Sequence, residues 1–359
     1  MCDSRGTLVV PGSYMLRPAA LVCGLLGALA GVAAHGHHSK NVTYDTASVV
    51  EVTGRITTLV WRNPHVRLTL EQADEALEWE IEGNSVSILQ RMGVTPDRIA
   101  VGDEITVAGL PSRRGGPQLF ATNLLSADNA ELLMEAGAES RWSQNVIGSD
   151  TAWTGEDAGQ PAAGDRPNGV FGVWSTALTN PQSFPLFPER GTNYPLTAAA
   201  REHVAAWQTI EDNPYFTCTP MGMPRVMGQP YPIEFVDFGD EIHLRIELHD
   251  LVRVIDMTDE RAPNEDRDRT PLGYSRGRWD GQSLLVTTTA VSWPYFNQSG
   301  IPQSAQSVIT ERFTPDDDST RLHYELTVDD PVTFAEPITL KKYWHWRAGE
   351  QILPFDCTE

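Results

Sequence analysis

The common catalytic signatures are missing from this sequence. It contains no His-Glu-x-x-His helix, no dinucleotide-binding glycine motif and no Walker loop, which argues against zincin, Rossmann and P-loop chemistry. No Gly-x-Ser-x-Gly nucleophile elbow is expected either, and the 273–281 stretch is not a phosphate loop, because no helix follows it. Basic charge is scarce, with 27 Lys and Arg against 48 Asp and Glu, for a net charge of −21. Such a surface repels nucleic acid and anionic lipid, and no basic patch with interleaved aromatics offsets it. No internal repeat is visible. After residue 34 no apolar run is long enough to cross a bilayer, so no integral membrane segment is expected there.

The one apolar run, residues 21–34, is rich in small residues. Arg17 precedes it, and Val32-Ala33-Ala34 fits the small-x-small rule for signal peptidase. The run reads as a secretory signal peptide, residues 1–34, cleaved after Ala34. Asp3 and Pro11 fit such a leader poorly, so Met15 reads as the translation start. A lipoprotein anchor at Cys23 and a buried N-terminal helix are the alternatives. The expected location is periplasmic or secreted. Removing residues 1–34, which carry a net +1, leaves about −22. Cysteine is then reduced to Cys218 and Cys357, an even pair that an oxidising compartment makes a disulfide candidate; two separate thiols are the other reading.

The remaining chain is long enough for two domains. Residues 35–129 read as three short strands, a helix over 85–92 stopped at Gly93, then two more strands. That is the order of an OB-like five-stranded barrel. Residues 130–195 read as a linker with a short helix over 130–140 and a loose tether, rich in Gly, Pro, Asn, Ser and Asp, from 141. Residues 196–359 begin with a helix over 196–210, capped by Thr197. Eight strands follow, at 233–237, 241–249, 252–257, 272–279, 283–289, 307–313, 321–328 and 338–346. Their mostly short turns predict a lipocalin-like, eight-stranded antiparallel up-and-down barrel. The fold class is therefore all-β, two barrels with short helices between.

Three constellations carry chemistry. Cleavage would leave His35 as the terminus of a His-Gly-His-His tract. The new amine with His35, His37, His38 and His65 forms a ligand set suited to copper or zinc, and also to nickel; a solvated tract with His65 packed on the barrel rim is the plainer reading. Along 241–249 strict alternation places Glu241, His243, Arg245, Glu247 and His249 on one face and Ile242, Leu244, Ile246 and Leu248 on the other. Were the polar face inward, Glu247, His249 and Arg253 would form a buried acid/base cluster. Tyr274, Arg278, Trp279, Trp293 and Tyr295 are candidate ligand contacts, the last two on a bulky loop able to cap the barrel mouth. Aromatic core is the alternative for the tryptophans.

His37-His38-Ser39, Val52-Thr53-Gly54-Arg55-Ile56, Trp61-Arg62-Asn63-Pro64-His65-Val66, Glu78-Trp79-Glu80-Ile81 and Val101-Gly102-Asp103 together resemble the DUF6152 family of exported bacterial proteins. The likeness covers about residues 35–126. The second half, through Cys218-Thr-Pro, Leu272-Gly-Tyr-Ser-Arg-Gly-Arg-Trp-Asp-Gly and Cys357, resembles uncharacterised bacterial envelope proteins. These resemblances imply export and a two-domain split, and no reaction. The expected function is binding of a small apolar or amphipathic molecule in the C-terminal barrel, with a metal site on the OB-like domain. A cofactor-independent isomerase, lyase or hydrolase using the barrel's polar residues is the alternative. The sequence names no protein partner.

Overall fold

A computed structural model describes residues 40–72, 77–148, 167–178, 180–187, 193–208, 212, 214, 218–258 and 268–357. The expected leader, His35, His37 and His38 lie outside them. No helix of the described residues is long and apolar enough to cross a membrane. The protein is all-β, with few helices and two closed barrels.

After a short helix α1 (Lys40–Thr43), the first barrel uses β1 (Val50–Val60), β2 (Arg67–Gln72), β3 (Leu77–Glu82), β4 (Glu104–Pro111) and β5 (Gln118–Leu125). The order of strands is β3-β2-β1-β4-β5, and a parallel β3–β5 pairing closes it. The long β1 serves two partners: residues 50–55 pair with β4 and residues 55–60 with β2. Period-2 alternation sends Val52, Ile56, Leu68, Leu70, Ile81, Ile105 and Val107 inward, all at most 3% exposed. The expected helix between β3 and β4 is α2 (Val86–Arg91). Ser85 Oγ caps it by accepting from Ile88 N at 3.4 Å, and Gly93, at φ +86°, ends it. Ile88 and Leu89 plug the barrel end. A side chain at Gly109 would put Cβ 2.3 Å from the Phe120 carbonyl oxygen, so the β4–β5 bulge there needs glycine.

The helix expected over 130–140 is absent. β6 (Glu131–Leu133) and β7 (Val146–Ile147) extend the first sheet instead. The Glu131 carboxylate accepts from the backbone N–H groups of Arg141, Trp142 and Ser143 and from Asn123 Nδ2, at 2.6–2.9 Å. Burial raises its pKa, but these four donors outweigh burial and hold it below the usual carboxylate range.

The second barrel has nine strands, not eight. All eight expected strands are present: β9 (Ile233–Asp237), β10 (Glu241–Ile246), β11 (Leu251–Asp256), β12 (Tyr274–Asp280), β13 (Ser283–Thr289), β14 (Val308–Pro315), β15 (Arg321–Asp329) and β16 (Ile338–Trp346). The ninth, β8 (Gly172–Ser175), comes from the expected tether and closes the ring between β16 and β9. The ring is not fully antiparallel either, because β11 and β12 run parallel. A two-residue hairpin cannot join parallel strands, and residues 257–273 separate these two in the sequence. The helix expected over 196–210 is α3 (Ala198–Ala206), with Thr197 Oγ1 accepting from Ala200 N at 3.2 Å.

A seam joins the barrels. The Arg91 guanidinium of α2 grips the Glu247 carboxylate with both terminal nitrogens; its Nε donates to Glu350 Oε1 at 2.7 Å and its Nη2 to Gln351 O at 2.8 Å. Leu353 N donates to Glu247 Oε2 at 2.9 Å, and Phe355 N to Asp250 Oδ1 at 3.1 Å. Asn63 Nδ2 donates to Phe355 O, while its Oδ1 accepts from Val86 N at 3.0 Å. Cys357 then bridges beside Asn63 and is disulfide-bonded to Cys218, with Cα atoms 5.8 Å apart.

Candidate functional site

His65 stands on the rim of the first barrel, just ahead of β2. Its Nδ1 lies 2.8 Å from the Gly83 carbonyl oxygen. A carbonyl can only accept, so Nδ1 carries a proton. Glu82 Oε1 lies 3.2 Å from the same Nδ1, and Tyr44 donates its hydroxyl to Glu82 Oε2 at 2.8 Å. Burial, then Glu82, pushes the Tyr44 phenol up, so it remains a donor. The Phe120 ring meets His65 edge-on at 6.5 Å and carries the Lys40 ammonium 5.8 Å from its centroid. Lys40 is two residues after His38 in the sequence. Among the described residues no three His, Cys, Asp or Glu side chains form a metal-holding group.

The expected acid/base cluster does not share one environment. The apolar face of β10 enters the barrel: Ile242, Leu244 and Ile246 are at most 2% exposed, while Glu241 and Arg245 face solvent. Burying each such aliphatic side chain gains about 1.5–3 kcal/mol, whereas burying unpaired charges costs several, so this face wins. The strand stops at Ile246, earlier than expected, and a turn follows. In it His249 and Asp250 take φ of 58° and 51°. Glu247 turns into the seam on Arg91. His249 packs edge-on against Phe355 at 5.1 Å; burial pulls its imidazole down to about 4, against the pull of Asp250.

Arg253, on β11, points into the barrel. It binds the fully buried Glu311 with both terminal nitrogens and donates to Ser275 Oγ at 2.8 Å and Thr288 Oγ1 at 2.6 Å. Tyr324 donates its hydroxyl to Glu311 Oε1 at 2.8 Å. Phe235, Phe313, Tyr324 and Trp344 pack around this network, with successive ring centroids about 5 Å apart. Gly273-Tyr274-Ser275-Arg276-Gly277 does spell Gly-x-Ser-x-Gly. Yet Ser275 sits within β12, 1% exposed and bonded to Arg253, with no strand-turn-helix elbow to present it.

The five expected ligand contacts divide between the barrel's two ends. Tyr274 starts β12 and donates its hydroxyl to Asp256 Oδ2 at 2.7 Å. Trp293 is buried, and Tyr295 packs on Trp207 at 4.8 Å; both lie on the loop between β13 and β14, at the same end as Tyr274. Arg278 and Trp279 finish β12 at the opposite end, where both are exposed.

The interior of the second barrel holds a group that sequence reasoning missed. Lys342 of β16 faces inward beside Trp344; its Nζ sits 4.2 Å from that ring's centroid and 3.5 Å from Thr176 Oγ1. None of the ion pairs among the described residues includes it, and burial, reinforced by the Arg225 charge, pulls the amine down to about 7. Arg225 lies over the Phe187 ring at 5.5 Å and donates to Gln298 Oε1 at 2.7 Å. Two more buried donors, the Tyr194 hydroxyl and Trp344 Nε1, have no acceptor among the described residues. Burial raises the Tyr194 phenol to about 12, partly opposed by Arg225. At the loop-closed end Phe296 joins three rings, 5.2–5.3 Å from Phe187 and Tyr194 and 5.0 Å from Phe334. The available signal was Leu340, Lys342 and Trp344 on one face of a strand, a lysine in an apolar row.

Residues 26–119 match the family described as "Family of unknown function (DUF6152)", in agreement with the resemblance of the N-terminal half. The match includes the His65 rim and stops before the second barrel. No curated protein matches the sequence.

Proposed function

We propose that this is an exported, non-catalytic binding protein whose nine-stranded barrel takes a small amphipathic molecule at its loop-closed end. The observation that carries this reading is the buried Tyr194 hydroxyl, which has no acceptor among the described residues and is set against Phe296 and Phe334. Buried polar groups are satisfied in nearly all native structures, and a bound molecule is one way to satisfy them. The strand order of the first barrel supports its OB-like reading; a closed ring of mostly antiparallel strands supports the lipocalin-like one. The Cys218–Cys357 disulfide fits an oxidising, periplasmic or secreted location. Glu247 and Arg253 are each engaged by an oppositely charged partner, which favours binding over the isomerase, lyase or hydrolase reading. The test is native mass spectrometry after incubation with a total lipid extract of the bacterial envelope. One retained organic molecule per chain is expected; protein that stays at its polypeptide mass refutes the reading.

A second reading has its own observation. The Nδ1–H bond to the Gly83 carbonyl fixes the orientation of the His65 ring, as the bond from a ligating histidine's other nitrogen does in metal sites. The site would combine His65 with His35, His37, His38 and the terminal amine, for copper or zinc. His65→Ala should then weaken Cu(II) binding at least tenfold, about 1.4 kcal/mol, by calorimetry. Equal affinity would assign the metal to the histidine tract alone.

A further inference from the structure

The first sheet carries a cavity of about 680 Å³ between its outer face and residues 135–142, a volume in the range of small-molecule sites. Its floor follows from strand register. Glu51 of β1, Ala108 of β4 and Asn123 of β5 are direct partners across three neighbouring strands, so they share one face. The alanine between two longer side chains leaves the hollow. The loop over it is tied down from within the fold. Glu131 holds the backbone N–H groups of Arg141, Trp142 and Ser143, and Asn123 Nδ2 donates to Glu139 O at 2.8 Å. Asn123, which lines the cavity, is 2% exposed and commits its amide nitrogen to Glu131 and Glu139. Its Oδ1, on the other arm of the amide, accepts from no donor among the described residues. A buried acceptor in that state calls for a donor from elsewhere.

Arg141 shows which chemistry this cavity accepts. Its Nε and Nη2 donate to Glu51 Oε1 at 3.3 and 3.0 Å, and its guanidinium carbon lies 5.9 Å from the centroid of the Trp142 ring. A carboxylate beside an aromatic face is a guanidinium site. The chain's own side chain holds that site weakly. Arg141 and Glu51 are 37% and 46% exposed, and exposed pairs of this kind contribute little. The Arg141 backbone is fixed by Glu131, so its side chain can swing away without moving the loop. The charge count is also one cation short. Of the lining carboxylates Glu51 pairs with Arg141 and Glu135 with Lys40, while that of Glu139 has no cationic partner among the described residues. We propose that this cavity binds a small guanidinium compound, which takes the place of the Arg141 side chain on Glu51 and Trp142 and donates to Asn123 Oδ1. Arg141 is then the internal competitor that the ligand displaces. An anion would meet the glutamates' charge, and a neutral molecule would leave Glu139 uncompensated. The net charge of −21 draws a cation towards this surface.

The experiment is an NMR titration of the whole protein with butylguanidinium and with its neutral isostere, N-butylurea. The readout is the indole N–H resonance of Trp142, identified by its loss in Trp142→Leu. Butylguanidinium should shift that resonance saturably and bind at least tenfold more tightly than N-butylurea. Glu51→Gln should weaken it at least tenfold. Arg141→Ala should tighten it at least threefold, because the competitor is gone. Arg245→Ala makes the same change in net charge on the second barrel, where Arg245 pairs with Glu234, and should leave the affinity unchanged. Equal binding of the two probes overturns the cation assignment, and an unmoved Trp142 resonance overturns the site. Affinity that is unchanged or weakened in Arg141→Ala, or tightened as much in Arg245→Ala, overturns the displacement. The comparison of probes uses the wild-type protein, so it decides the matter even if Glu51→Gln fails to fold.

Discussion

Among single residues, the buried histidines set an acid limit on stability. His249 and His345 are both drawn down to about 4, chiefly by burial; Arg347 and Arg321 lower His345 further, and Glu350 opposes them. An unfolded imidazole titrates at about 6.5. Between those values the unfolded chain binds more protons than the folded one, so this stability is intact above about pH 6.5 and is lost as pH falls towards 4. The double variant His249→Asn, His345→Gln should have a urea midpoint that falls less between pH 7 and 4.5, its linkage slope reduced by up to about two protons. Asparagine tolerates the positive φ at 249. Parallel slopes for both proteins would show that these rings do not titrate on unfolding. At this scale the sequence was partly legible. Cys218 and Cys357 could be paired by elimination, and the inward face of β10 followed from its aliphatic row. The partners of His65 and the burial of Lys342 could not be read, because both depend on strand register: Gly83 reaches His65 only through the β2–β3 pairing, and one residue of slip would exchange Lys342 with Lys341.

Elements were more legible than their neighbours in space. Alternation located all five strands of the first barrel and all eight expected in the second, since half-buried strands write their period into local sequence. What escaped was short or defined from a distance. β8 has four residues in a Gly-rich stretch, and its place in the ring is set by β9 and β16. The parallel β11–β12 pairing left no sign in the alternation of either strand, which is the same for both directions. Residues 130–140 have helical composition, but Glu131 ties down three consecutive backbone N–H groups of the following loop and so favours the short extended β6. Glu247 was misplaced for a related reason: alternation continued past Ile246 on paper, whereas the chain turns there to meet Arg91.

For the whole molecule, the Cys218–Cys357 bond closes a span of 139 residues and fixes the stretch from Glu350 to Cys357 against both barrels. Closing a loop of that length stabilises by about 5 kcal/mol in the chain-entropy model. Cys218→Ser with Cys357→Ser should therefore lower the melting temperature by several degrees and make it insensitive to reductant, while the wild type drops on reduction; a wild type whose melting point ignores reductant would contradict this. The seam also has a consequence in time. Arg91 finds Glu247 and Glu350 across separations of 156 and 259 residues. At about 5–20 residues per second, the ribosome needs roughly 10–50 s to follow Arg91 with Glu350. The first barrel can close long before then, but its α2 guanidinium must wait in water for the partners that bury it. Synthesis thus imposes an order in which the barrels form separately and the last stretch to emerge locks them together.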